Sequence, residues 1–323
     1  MSGNGLPSQL WVIDSHTIGE PTRVVIDESF GAGLDLGAGT VRERRDRFRE
    51  RYDHVRRALV GDPRGAVAMV GVILVPPADP TCRFGAFHVN RVGYLDMCGH
   101  ATIGLAVTLG SLGRIEPGSF RLETPAGVVG VTWHGGGDAS FEGVPPRRIH
   151  RGLRISCDDG SDGSIDVATS GLWFSICRDH GLPVEPAAIP ALTARAWSIR
   201  RALEARGITG DGGETIDHVM LLGPPAEAGH DGRAFVLCPD GAFDRSPCGT
   251  GTSALVGCLF EDGMLEEGRT WRQESVLGGV YEASVRREGS VLVPTVRGRA
   301  WIAAETTLHF AADDPYRTGL GSF

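Results

Sequence analysis

Met97-Cys98-Gly99-His100-Ala101-Thr102-Ile103-Gly104 and Ser246-Pro247-Cys248-Gly249-Thr250-Gly251-Thr252-Ser253-Ala254 are two versions of one pattern, 150 residues apart. In each, a cysteine is followed by glycine and then by an apolar run that predicts the first turns of a buried helix. A thiol at a helix N-terminus meets the positive end of the helix dipole, which favours its thiolate. Two such thiols, one in each half of the chain, form a pair of opposed acid/base groups. That pair can remove a proton from one face of a carbon and return one to the other.

The duplication extends outward from the cysteines. Ile13-Asp14-Ser15-His16-Thr17-Ile18-Gly19 and Ile165-Asp166-Val167-Ala168-Thr169-Ser170-Gly171 share four of seven residues at an offset of 152. Arg121, Glu123, Gly127 and Val129 recur as Arg272, Glu274, Gly278 and Val280, at an offset of 151. Arg56-Arg57-Ala58-Leu59 recurs as Arg200-Arg201-Ala202-Leu203, at an offset of 144. Four blocks in one order point to two halves of one ancestral topology rather than a short-period solenoid.

Composition narrows the chemistry. The 323 residues suffice for two domains with their own cores. A charged fraction of 22% and a hydrophobic fraction of 41% fit a soluble globular protein, and a net charge of −8 argues against a nucleic-acid partner. No apolar run approaches the roughly 20 residues that span a bilayer. The first residues carry neither the basic nor the apolar segment of a signal peptide. Seven irregularly spaced cysteines without a Cys-x-x-Cys pair argue against a disulfide framework or structural zinc, and no His-x-x-x-His cluster suggests a metal. A reducing cytoplasm is the expected compartment. All 32 basic residues are arginine. With no lysine for a Schiff base or a phosphate-binding loop, pyridoxal-phosphate enzymes, lysine aldolases and Walker-type ATPases fall away.

The pattern of elements predicts an α+β protein in which sheet wraps around a helix in each half. Short strands are expected at 11–13 and 24–26, and a buried strand over 66–75. Thr40-Val41-Arg42-Glu43 has capping-box spacing and opens a charged helix to about Leu59. A helix from Gly99 closes near Gly110. In the second half, a helix runs from about Leu192 to Ala205, strands cover 219–222 and 235–237, and the Cys248 helix ends near Phe260. Strands over 272–285 and 291–296 complete the half. Glycine-rich stretches at 135–137 and 159–163 are expected to hold the linker, dividing a half at 1–155 from one at 156–323. The last residues are expected to cross back onto the first half, because a duplicated pair needs a tie.

Several residues are candidates beside the thiols. The backbone N–H groups of Gly99-His100 and Gly249-Thr250-Gly251 can either bind a carboxylate or simply open a helix. Asp244, four residues before Cys248, can hold a substrate ammonium or imino group, or form an Asx turn. His100 can contact a substrate amine, bias the Cys98 thiol, or serve as a polar helix-start residue. Asp14 recurs as Asp166 while His16 is matched by Ala168, which marks Asp14 as structural. Cys82, Cys157, Cys177, Cys238 and Cys258 read as core residues.

With these segments in view, the chain resembles the proline racemase superfamily, in its 4-hydroxyproline 2-epimerase branch. The resemblance runs from about residue 11 to 320. It is carried by Asp14-Ser15-His16-Thr17-Ile18-Gly19-Glu20-Pro21-Thr22-Arg23-Val24-Val25, the two cysteine motifs, Phe235-Val236-Leu237-Cys238-Pro239 and Trp271-Arg272-Gln273-Glu274-Ser275. It implies a fold like diaminopimelate epimerase, with two pseudo-symmetric halves and the active site between them, and no cofactor. Cys98 and Cys248 would be the bases. Gly99, His100, Gly249 and Thr250 would cradle the carboxylate and line the pocket, and Asp244 with His100 would face the ring nitrogen. The implied reaction is inversion at Cα of a cyclic imino acid, foremost trans-4-hydroxy-L-proline to cis-4-hydroxy-D-proline. Proline racemisation and 3-hydroxyproline epimerisation are the nearest alternatives. Dehydration of trans-3-hydroxyproline is more distant, since family members that perform it replace the second cysteine by threonine. Asp96, Ala101, Leu172 and Leu255 depart from the branch's usual residues. One chain carries both cysteines, so a monomer and a homodimer are both compatible with the reaction.

Overall fold

The computed structural model describes residues 6–26, 34–158 and 160–320. They form two compact units, residues 1–141 with 299–323 and residues 142–298. The first unit contains β1 (Gln9–Thr17), β2 (Glu20–Val25), α1 (Val41–Val60), β3 (Val70–Val75), β4 (Phe84–Val89), β5 (Tyr94–Leu95), α2 (Gly99–Ser111), β6 (Gly118–Thr124), β7 (Gly127–Gly135) and most of β8 (Asp138–Glu142). The second contains β9 (Arg147–Ser156), β10 (Asp162–Thr169), β11 (Trp173–Cys177), α3 (Ile189–Ala205), β12 (His218–Gly223), β13 (Gly232–Leu237), α4 (Gly249–Glu261), β14 (Trp271–Ser275) and β15 (Val280–Glu288). The last strand, β16 (Val291–His309), pairs with β15 up to Arg297 and with β1 from Ala300 onward.

In the first unit the strand order is β1-β2-β3-β4-β6-β7-β8, and the end of β16 joins β8 to β1, closing the sheet into a barrel. The register Leu10↔Leu308 and Val12↔Thr306 makes this seam antiparallel. α2 packs against β1, β2, β3 and β7 and is buried from Gly99 to Leu109. A helix apolar on every side is stable only when enclosed. α1 is amphipathic instead. It buries Val41, Phe48, Val55 and Leu59 against Val12, Ile73 and Phe87 and exposes most of its charges, Arg45 and Arg56 being buried with partners. The capping box is formed: Glu43 N donates to Thr40 Oγ1 at 3.2 Å, and Thr40 N to Glu43 Oε2 at 2.8 Å.

The second unit repeats this plan with the order β9-β10-β11-β12-β13-β14-β15-β16. α4 is buried from Gly249 to Leu259, and α3 packs Leu192, Ala196, Ile199 and Leu203 on Val219, Leu221 and Phe235. The repeated glutamates do the same work in each unit. Glu123 accepts the backbone N–H of Val41, Ala78 and Asp79, and Glu274 accepts those of Ala226 and Glu227. The repeated arginines also match. Arg56 donates to the carbonyls of Asn90 and Arg91, Arg200 to those of Asp217 and Pro239.

The α+β architecture stands, but several local expectations change. The apolar run over 66–75 becomes strand only from Val70. The glycines at 135–137 are the hairpin turn between β7 and β8, where Gly135 and Gly136 take φ of 96° and 55°. Likewise, Cys157 N donates to Ser161 O across the β9–β10 turn, so neither stretch is a linker. Because β9 pairs along its length with β10, residues 147–155 lie in the second unit, which opens at Glu142. α2 ends at Ser111, close to the expected Gly110, and Gly110 sits in its last turn, where a Cβ would come within 2.4 Å of the Trp133 ring. The segment 272–285 is a hairpin split at 276–279, and the strand opening at Val291 continues to His309.

Candidate active site

In the first unit the chain leaves β5 at Leu95 and turns through Asp96 and Met97 into Cys98, the residue before α2. Cys98 is extended (φ −139°, ψ 118°), buried, and makes no side-chain capping bond. Its carbonyl accepts Thr102 N at 3.0 Å and Thr102 Oγ1 at 2.8 Å. Its Sγ lies 3.3 Å from His100 Nδ1 and 3.9 Å from Nε2. Burial, aided by His88, pushes the His100 imidazole down to about 3, with a hydrogen bond to the Pro21 backbone opposing. A neutral ring therefore faces the thiol at neutral pH. The backbone of His100 is anchored too, its carbonyl accepting Thr17 Oγ1 at 2.8 Å.

The second unit supplies the matching start of α4 with different chemistry. Cys248 is buried and takes φ 65°, ψ 104°. A left-handed backbone at a non-glycine residue costs on the order of 1–2 kcal/mol and gathers at functional sites. Hydrogen bonds hold it: Cys248 N donates to Ser246 Oγ at 3.2 Å, and Asp244 Oδ1 accepts both Ser246 N and Ser246 Oγ at 2.8 Å. The Cys248 carbonyl accepts Thr252 N at 2.8 Å, as that of Cys98 accepts Thr102 N. Sγ lies 3.8 Å from Thr250 Oγ1. Burial and then the Asp244 carboxylate push the Cys248 thiol well above its usual range. Asp244 is itself pushed up by burial, against the two Ser246 bonds.

The structure thus gathers Gly99 and His100 around Cys98, and Asp244, Gly249 and Thr250 around Cys248. Sequence reasoning missed His218 and Met220. The parallel pairing of β11 with β12 sets Phe174 opposite His218, whose ring packs 4.9 Å from it. His218 Nδ1 lies 2.7 Å from Asp217 Oδ1, and the ring lies in the surroundings of Asp244. Met220 Cε and Phe174 Cε1 would lie 2.6 Å and 3.0 Å from a Cβ at Gly251, so a side chain there would crowd the first turn of α4. No spacing rule marks Asp217-His218; only sheet pairing delivers it.

Other flagged residues have settled partners. Asp14 binds Arg23 through both oxygens at 2.8 Å and 2.7 Å, and Asp166 pairs with Arg148 and Arg178. His16 accepts Gly19 N and stacks on Trp301. Burial holds the Cys177 and Cys258 thiols up at about 12. Among the described residues, no three His, Cys, Asp or Glu side chains gather as a metal-ligand set.

The proline racemase family model matches residues 12–321. The chain belongs to the proline racemase family. The 4-hydroxyproline 2-epimerase of Acinetobacter baumannii (strain AYE) is 43% identical over 309 residues, covering 96% of this chain and 98% of that protein. The 4-hydroxyproline 2-epimerase of Burkholderia cenocepacia (strain J2315) is 45% identical over 315 residues, covering 97% and 99%. Among solved structures, a hydroxyproline epimerase from Agrobacterium vitis with bound trans-4-hydroxy-L-proline superposes with a TM-score of 0.85 at 21% identity, covering 98% of this chain and 95% of its own. A Bacillus anthracis protein of the PhzF family gives 0.63 at 12% identity, covering 94% and 99%. Family membership and fold agree with the two-unit architecture above.

Proposed function

We propose that this chain is a 4-hydroxyproline 2-epimerase that inverts Cα of trans-4-hydroxy-L-proline to cis-4-hydroxy-D-proline without a cofactor. The observation that carries the reading is the pair of buried cysteines at the starts of two equivalent helices, in a chain whose relatives bear that name. Inversion needs one group to take the Cα proton and a second to deliver one to the opposite face. Cys248, pushed up by burial and by Asp244, starts as the thiol and delivers. Cys98, with the neutral His100 ring beside it, is the opposing group, and the two sulfurs alternate as thiolate and thiol between the two directions.

The Cα–H bond is a very weak acid, so developing negative charge must be met by fixed dipoles in a dry site. The N–H groups opening α2 and α4, at Gly99, His100, Gly249 and Thr250, are assigned to the substrate carboxylate. Asp244, with His100, is assigned to the ring nitrogen. The reading also places the protein in a reducing cytoplasm, where both thiols stay reduced, and as a monomer or homodimer with a small imino acid as its partner. No described helix is long and apolar enough to cross a membrane.

The test is proton NMR of reduced protein in D2O with trans-4-hydroxy-L-proline, then L-proline, then trans-3-hydroxy-L-proline. Loss of the Cα–H signal with growth of the cis-4-hydroxy-D-proline spectrum is expected on the first. Exchange on proline alone would make the chain a proline racemase, and exchange on the 3-hydroxy substrate alone a 3-hydroxyproline epimerase. A pyrroline product would make it a dehydratase.

A further inference from the structure

The two cysteine turns are held in different ways. Upstream of Cys248 the support is local, through Asp244, Ser246 and the Cys248 N–H. Cys98, by contrast, makes no side-chain capping bond at the start of α2. The chain there is held from a distance. Asp96 Oδ1 accepts Arg45 Nη1 at 2.5 Å, and Arg42 Nη2 lies 3.3 Å from Asp96 Oδ2. Both arginines stand on the first turns of α1, and Arg45 is buried. The Asp96 carbonyl accepts Ala126 N at 3.2 Å from the β6–β7 turn, whose Pro125 carbonyl also accepts Arg42. α1 is itself fixed at that end, where Glu123 accepts the Val41 N–H.

We propose that Asp96 is a positioning residue for Cys98: its ion pair with Arg45 and Arg42 locks the β5–α2 turn to α1 and so holds the thiol at the start of α2. This deepens the reading of Cys98 as a proton carrier and rests on it. Asp96 spends its carboxylate on α1, so it acts through Cys98 rather than on the substrate. In the second unit the Asp244–Ser246 turn supports Cys248 locally.

The experiment compares wild type with Asp96→Ala, Asp96→Asn, Arg45→Met and the Asp96→Ala/Arg45→Met double variant, each first checked for folding by circular dichroism. Two readouts are taken: Cα–H exchange kinetics, and the pH dependence of iodoacetamide labelling at Cys98 and Cys248, resolved by peptide mass spectrometry. A displaced catalytic group costs rate rather than affinity, so Asp96→Ala and Arg45→Met should each lower kcat about tenfold with KM within about twofold. The double variant should be no worse than either single one, because both remove one clamp. Asp96→Asn keeps an acceptor oxygen for Arg45 and should recover most of the loss. The labelling midpoint of Cys98 should move up in pH while that of Cys248 stays. Unchanged Cys98 labelling with unchanged kcat overturns the proposal. A change confined to KM, and to one imino acid, also overturns it, because Asp96 would then read the substrate. If wild type exchanges none of the imino acids, the epimerase reading fails, and the Cys98 labelling midpoints of the variants still decide the clamp.

Discussion

Cys98 and Cys248 occupy equivalent places in two copies of one plan, yet their surroundings have parted. Cys98 has an extended backbone and a neutral histidine 3.3 Å from its sulfur. Cys248 has a left-handed backbone, a threonine at 3.8 Å, and an aspartate that opposes its ionisation. Duplication alone yields two equal thiols. In the proposed two-base reading, one group must start charged and its counterpart neutral, and the unlike neighbours are where that inequality would arise.

Removing either sulfur should have the largest effect. Cys98→Ser and Cys248→Ser should each cut turnover at least about 1000-fold, roughly 4 kcal/mol of barrier. Substantial exchange by both variants would end the two-base account. Next comes the position where the two helices differ in bulk, Ala101 in α2 against Gly251 in α4. Gly251→Ala drives a methyl to 2.6 Å from Met220 Cε and 3.2 Å from Cys248 Sγ, so about 1–3 kcal/mol of stability should be lost in urea melts, with a disproportionate fall in kcat. Ala101→Gly adds no atoms and should cost about 1 kcal/mol or less.

Acid acts more gently, through the buried histidines. Burial pushes His88 down to about 4 and His100 to about 3, and both lie in the first unit. Unfolded, each titrates near 6.5. Between the folded and unfolded values the unfolded chain binds more protons, so stability is full above 6.5 and falls as the pH drops below it. From pH 7 to 5 each should cost about 2 kcal/mol, and His88→Phe should remove one of the two losses in urea melts at the two pH values. A charge change then probes the other unit. Asp244→Asn removes the second contribution raising the Cys248 thiol, so its labelling midpoint should fall while burial still keeps it high and Cys98 is untouched. The smallest contrast is between the outer helices. Thr40→Ala deletes the cap of α1 and should cost about 1 kcal/mol, whereas α3 begins at Ala188 with no side-chain cap to lose.

Local chemistry is what made much of this readable in the chain. Cysteine followed by glycine and an apolar run specifies a helix start wherever it lies, and Thr40 with Glu43 writes a capping box in four residues. Asp14 and Asp166, Glu123 and Glu274, and Arg56 and Arg200 recur because each anchors a turn, strand or helix in its own unit. The α+β class and the duplicated plan were legible in the sequence, and it also singled out the two thiols with Gly99, His100, Asp244, Gly249 and Thr250, which the structure places beside them. The glycines at 135–137 could not be told from a linker, because a hairpin turn and a linker draw on the same residues until strands pair on either side. His218 and Met220 reach Cys248's surroundings only because β12 lies beside β11 in parallel. Asp96 stood out as an unusual residue, but its partner Arg45 is 51 positions away. Tertiary structure alone decided these, since sheet pairing and long-range ion pairs join residues whose separation along the chain carries no period.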